Sequence, residues 1–143
     1  MIPEELLQLI RTFEGCRLRA YQCPAGVWTI GWGSTGPDVQ RGVVWDRAQA
    51  DARLRYDAGK CARAALKLSP VLASKPQQLA AVADFIYNLG AGRYRTSRLR
   101  KRIESQDMAG AATEINRWVV GGGRKLPGLV KRRAAEARLL LGA

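Results

Sequence analysis

A chain of 143 residues, 47% of them hydrophobic, is the length of about one domain with a real core. It has no histidine, which excludes Ser-His-Asp and Cys-His triads, and its three cysteines (Cys16, Cys23 and Cys61) match no zinc spacing, so no metal is expected. The net charge of +12 is uneven: residues 93–143 carry 13 basic and 4 acidic groups, a field that draws polyanions such as nucleic acid, anionic membrane or an anionic bacterial envelope.

Residues 3–12 predict a short helix, with Pro3 in its first turn, Glu4 and Glu5 complementing its dipole, and an apolar face of Leu6, Leu7, Leu9, Ile10 and Phe13. Glu14 closes it and Gly15 ends it. Residues 17–35 carry short β-prone runs interrupted at Pro24, Gly26, Gly31, Gly33 and Gly36, which predicts an irregular β-hairpin or a three-stranded sheet. Asp46 is a helix N-cap, and the spacing of Leu54, Ala58, Cys61, Ala62 and Ala65 predicts one long helix to about Lys67, stopped by Pro70. A further helix opens at Lys75-Pro76-Gln77-Gln78, is apolar nearly all round and ends at Gly90. Ser97 and Asp107 cap helices near 98–105 and 108–119, Gly121-Gly122-Gly123 is a loop, and Leu126 to Leu140 is a basic helix. The whole is a single, mostly helical α+β domain spanning residues 1–143. No run approaches the ~18 apolar residues of a membrane span, and the N-terminus lacks the features of a signal peptide, so synthesis in the cytoplasm is expected.

Glu14 is the residue with chemical promise. A carboxyl group at the end of an apolar helix, beside a segment that must turn back on itself, can be kept protonated by partial burial, as general-acid cleavage of a glycosidic bond requires. The competing reading is a solvated glutamate paired with Arg17 or Arg19, whose charges would favour the ionised form.

Context decides between them. Glu14, eight residues, Cys23, five residues and Thr29 resemble the Glu-x8-Asp/Cys-x5-Thr triad of phage-type lysozymes, the muramidases of glycoside hydrolase family 24. Glu14-Gly15, Ala20-Tyr21 and Val27-Trp28-Thr29-Ile30-Gly31-Trp32-Gly33 match as well. So do Phe85-Ile86-Tyr87-Asn88-Leu89-Gly90, Arg117-Trp118, and Pro127-Gly128-Leu129-Val130-Lys131-Arg132-Arg133. The resemblance implies a two-lobed fold: a small sheet at 13–45, a connecting helix at 46–67, a helical lobe at 75–143 with the N-terminal helix, and a saccharide cleft between. It implies hydrolysis of the β-1,4 bond between N-acetylmuramic acid and N-acetylglucosamine in peptidoglycan by a monomer that needs no cofactor.

Within that resemblance Glu14 is the general acid. Cys23 is a thiolate base, a nucleophile or a water-holder, with a buried thiol or a disulfide to Cys16 or Cys61 as the structural alternatives. Thr29 would hold the attacking water through its hydroxyl. Ser34 stands where these lysozymes often carry histidine, leaving only a hydrogen bond to a carboxylate on the long helix, Asp57 being the candidate. Trp32, Asn88, Arg132 and Arg133 are candidates for substrate binding; one arginine is expected to face the cleft and bond Glu14 or the carboxylate of the peptide stem, the other to face solvent. Trp118 and Cys61 are read as core.

The family role is that of an endolysin, made in the host bacterial cytoplasm and reaching the wall after release. The alternative is a cationic protein that binds the anionic envelope or membrane and lyses without Glu14. Specific nucleic-acid binding is not expected, because no recognition motif accompanies the charge.

Overall fold

The computed structural model describes residues 2–142. Helix α1 (Glu4–Glu14) buries Leu6, Leu7, Leu9 and Ile10, and Gly15, at φ +68°, ends it by adopting a backbone conformation that side chains disfavour. Strands β1 (Arg17–Gln22) and β2 (Trp28–Gly31) pair antiparallel, with an irregularity between Arg17 and Tyr21. There is no third strand in this sheet among the described residues: Val44 reaches Arg19, and Ser34 reaches Ile30, only through isolated bridges.

Helix α2 (Arg47–Leu68) starts from a complete capping box, in which Asp46 accepts from the Gln49 amide and Gln49 accepts from the Asp46 amide, both at 2.8 Å. A 3-10 turn at Pro70–Ser74 leads into α3 (Pro76–Leu89), buried without a break from Leu79 to Ile86. A single helical turn, α4 (Ala91–Arg95), follows; it is too short to give a periodic signal. Ser97 and Asp107 do cap α5 (Arg98–Glu104) and α6 (Met108–Ile115). Helix α6 stops four residues before the expected 119, and the chain beyond it sets Trp118 edge-on against Phe85 at 5.3 Å. The triple-glycine loop is a tight hairpin. Strands β3 (Val120–Gly121) and β4 (Arg124–Lys125) are closed by Gly122 and Gly123, both at positive φ as such turns demand. Helix α7 (Pro127–Leu140) completes the fold.

Packing divides around α3. One face joins Leu72, Tyr94, Leu99, Ile103, Ile115 and Leu140 in the helical lobe. The other, through Ala80 and Ala83, meets Leu6, Leu7 and Ile10 of α1 and Leu54 and Ala58 of α2. A small third cluster, Ala20, Ile30 and Val39, holds the hairpin lobe. Helices α1, α3 and α7 therefore converge below the hairpin.

Candidate active site

Glu14 stands where these parts meet. As the last residue of α1 it lies against the backbone of Gly33, just past β2: a Cβ there would come within 2.6 Å of its Oε1, and Gly33 also has φ +87°. On its other side Arg132 of α7 donates through Nη1 to Glu14 Oε2 at 2.6 Å. The competing partners do not engage it: the guanidinium of Arg17 instead covers the Tyr21 ring at 4.2 Å.

Arg132 does not rest on Glu14 alone. Its Nε and Nη2 donate to the two oxygens of Asp84 at 2.9 and 2.8 Å, and Asp84 is wholly buried on α3. Burial opposes the charge of Asp84, but hydrogen bonds with Glu136 and Arg132 outweigh it and hold the carboxyl below its ordinary value. Glu136 goes the other way. Burial first, and then its proximity to Asp84, raise it well above the usual carboxylate range. Burial opposes the charge of Arg132, but its two carboxylate partners, Asp84 and then Glu14, outweigh it and raise the guanidinium above its ordinary value.

Arg133 corrects an expectation, since it is fully buried where solvent exposure was expected. It donates to Asn88 Oδ1 at 2.8 Å and to Glu136 Oε2 at 3.2 Å, with its guanidinium 5.3 Å from the centre of the Phe85 ring. Its Nε lies 2.8 Å from Glu136 Oε1, but the groups are misaligned, and neither atom has a hydrogen-bond partner. Asn88 is therefore held by Arg133, and its side chain makes no cap to α3.

Trp32 also needs correcting as a sugar platform. It is only 7% exposed, its ring is covered by Arg47 at 4.8 Å and Arg11 at 5.8 Å, and its Nε1 donates to Asp51. Its backbone carries a different duty: the Tyr87 hydroxyl donates to the Trp32 carbonyl at 2.6 Å, tying α3 to the hairpin lobe. Trp118 packs in the core, as read.

Cys23 and Thr29 come together across the hairpin. The Cys23 thiol is pulled below its ordinary value by the amides of Val27 and Ala25, with a smaller contribution from the Thr29 hydroxyl. Thr29 is buried, and its hydroxyl donates to the Val27 carbonyl at 3.0 Å. Tyr21 lies close to both ends of the site. Burial raises its phenol, Arg17 opposes this, and Glu14 and Cys23 add to it. The three cysteines are unpaired. Burial pushes the Cys61 thiol up to about 12, so it stays protonated and inert.

Ser34 donates to Asp57 Oδ2 at 2.8 Å, the hydrogen bond expected in place of a histidine pair. Arg53, one turn earlier on α2, supplies the missing positive charge: it reaches Asp57 at 3.2 Å, Asp38 at 2.7 Å and the Thr35 carbonyl at 2.6 Å. A pocket of about 430 Å³ opens beside Gly33, bordered by Arg53, Tyr56, Asp57, Lys60 and Tyr87. Among the described residues no three His, Cys, Asp or Glu side chains are gathered to hold a metal ion.

Sequence reasoning missed Gly33 as a contact, and missed Asp84, Glu136, Tyr87 and Arg53. Asp84 and Glu136 did leave a signal: each is a lone acid in an apolar run, Val82-Ala83-Asp84-Phe85-Ile86 and Ala134-Ala135-Glu136-Ala137. Lone acids in such runs are buried with partners.

The chain is similar to known proteins along nearly its whole length. The chain is 39% identical over 142 residues to the endolysin of Acyrthosiphon pisum secondary endosymbiont phage 1, covering 96% of each. It is 34% identical over 130 residues to the SAR-endolysin of Enterobacteria phage P21, covering 90% of this chain and 77% of that one. Among solved structures, the muramidase domain of SpmX from Asticaccaulis excentricus superposes with a TM-score of 0.86 at 31% identity, covering 99% of this chain and 97% of that one. The active form of the P1 phage endolysin Lyz gives 0.87 at 27%, covering 97% and 84%. With the phage lysozyme family model matching residues 11–136, the fold has its explanation: the chain belongs to the phage lysozyme family.

Proposed function

We propose that this lysozyme hydrolyses the β-1,4 bond between N-acetylmuramic acid and N-acetylglucosamine of peptidoglycan, with Glu14 as general acid. The observation that carries the reading is the seat of Glu14 between Gly33 of one lobe and Arg132 of the other, its side chain 22% exposed. A saccharide filling the cleft would remove that remaining water, and desolvation favours the protonated carboxyl needed to protonate the leaving oxygen. As an oxocarbenium-like centre develops, a water on the far face of the sugar must be activated. We assign that to Cys23 and Thr29: two backbone amides favour the thiolate of Cys23, which can take the water's proton, while the Thr29 hydroxyl orients it.

The lytic setting is that of an endolysin, released from the cytoplasm of the host bacterium to the wall, with the basic surface attracted to the anionic envelope. The test is turbidity loss of outer-membrane-permeabilised Gram-negative cells under reducing conditions. Wild type is expected to clear them with release of new reducing ends, and Glu14→Gln to fall by at least about a thousandfold, since it removes the acid outright. Equal clearing by both would favour the cationic, non-enzymatic reading.

A further inference from the structure

The arginine that touches Glu14 is itself held in place. Two of its three guanidinium nitrogens are occupied by Asp84, which leaves only Nη1 to meet Glu14. Asp84 sits in an α3 stretch whose other residues, from Leu79 to Ile86, are all apolar and buried. An isolated carboxylate there would be costly, and the bidentate fork is what makes it tolerable. Because a guanidinium is planar and rigid, fixing two nitrogens fixes the direction of the third. Asp84, Arg132 and Glu14 thus form a single line of charge across α3, α7 and α1.

We propose that Asp84 is a positioning residue for Glu14, acting through Arg132. It aims Nη1 at the acid, and its negative charge offsets the pull of Arg132 on the Glu14 carboxylate. The offset matters because a general acid must keep its proton until the sugar arrives, and an uncompensated guanidinium at contact distance favours the ionised form. The other charged or titratable groups around the line are Arg133 and Glu136 of α7 beside Asp84, and Tyr21 of β1 and Tyr87 of α3 near Glu14. None of these grips Arg132 as Asp84 does. The proposal rests on the reading of Glu14 as the acid.

The test compares Asp84→Asn, Asp84→Glu, Arg132→Gln and the double variant Asp84→Asn/Arg132→Gln with wild type. Two readouts are used: the titration of the Glu14 carboxyl by ¹³C NMR, and kcat and KM on wall fragments. In Asp84→Asn the Glu14 titration is expected to move to lower pH than in wild type, the direction set by one uncompensated neighbouring charge. Its kcat should fall by at least about tenfold with KM nearly unchanged, since a displaced acid is felt in the transition state. Asp84→Glu keeps the charge but not the length, so it should restore the titration and only part of kcat. In the double variant, loss of Asp84 should add no further fall in kcat to that of Arg132→Gln.

An Asp84→Asn enzyme with wild-type titration and kcat would overturn the proposal. So would a further tenfold loss on adding Asp84→Asn to Arg132→Gln. If Asp84→Asn does not fold, because Arg132 is then buried uncompensated, Asp84→Glu and the double variant carry the same decision. The NMR titration needs no activity. A lytically active Glu14→Gln protein would therefore overturn the acid reading separately from the link between Asp84 and Glu14.

Discussion

At the scale of single residues, the site depends on one missing atom and one unusual thiol. Gly33 has no room for a methyl group, because Glu14 Oε1 occupies the position, and its φ of +87° adds backbone strain to any replacement. Gly33→Ala is expected to push the Glu14 side chain aside and, with Glu14 as the proposed acid, to lower kcat by about a hundredfold, the effect of an ångström-scale misplacement. A thermal melt run alongside should show a far smaller change; unimpaired kcat would mean that Glu14 tolerates displacement. Cys23 gives a pH signature. If its thiolate takes the proton from water, activity should climb as pH rises through the lowered thiol range and be lost below it. Cys23→Asp should extend that climb downward by several pH units, because an aspartate ionises near ~4 and a thiol near ~8.5. A pH–rate profile of the two proteins decides this, and identical acid limbs would remove Cys23 from the proton transfer.

The elements themselves were legible where their signals were local. Asp46, Ser97 and Asp107 could be read as caps because a capping side chain bonds an amide three residues on. Glu14, Cys23 and Thr29 could be read together because their spacing is itself the motif. What stayed hidden was set by distant packing. Trp32 looked like a sugar platform until Arg11 and Arg47 were found over its ring, and Arg133 looked solvent-facing although Asn88, 45 residues earlier, accepts its hydrogen bond. Asp84 and Arg132 are 48 residues apart, and no helical period links them. Helix α2 carries the two testable contacts of this scale. Asp46→Ala breaks the capping box and is expected to cost about 1 kcal/mol of stability. Ser34→Ala leaves Asp57 with Arg53 alone and should cost about 1 kcal/mol, the net worth of one hydrogen bond. Urea denaturation should show both as a lower midpoint at unchanged slope. A loss of several kcal/mol for Ser34→Ala would instead mean that Arg53 cannot satisfy Asp57 by itself.

Over the whole molecule, the charge is arranged apart from the chemistry. The buried arginines, Arg132 and Arg133, are paired with Glu14, Asp84 and Glu136 inside the fold. The excess lies on the helical lobe. Arg93, Arg95, Arg98 and Lys101 of α4 and α5 are exposed, and Arg98 and Lys101 border a recess of about 400 Å³. None of the groups around Glu14, Cys23 or Asp57 lies on these two helices. A field of this kind raises the local concentration of an anionic wall and fades as salt shortens its reach to ~10 Å at 0.1 M. Replacing all four residues with glutamine is therefore expected to weaken binding to intact anionic walls and to flatten its dependence on salt. The rate on short, uncharged soluble glycan fragments should stay as it is, because the Glu14 line is untouched. Sedimentation of protein with purified walls across a salt series, set beside fragment hydrolysis, separates the two effects. Unchanged wall binding in the substituted protein would mean that attachment is made through the cleft, and that the basic face only keeps the protein soluble.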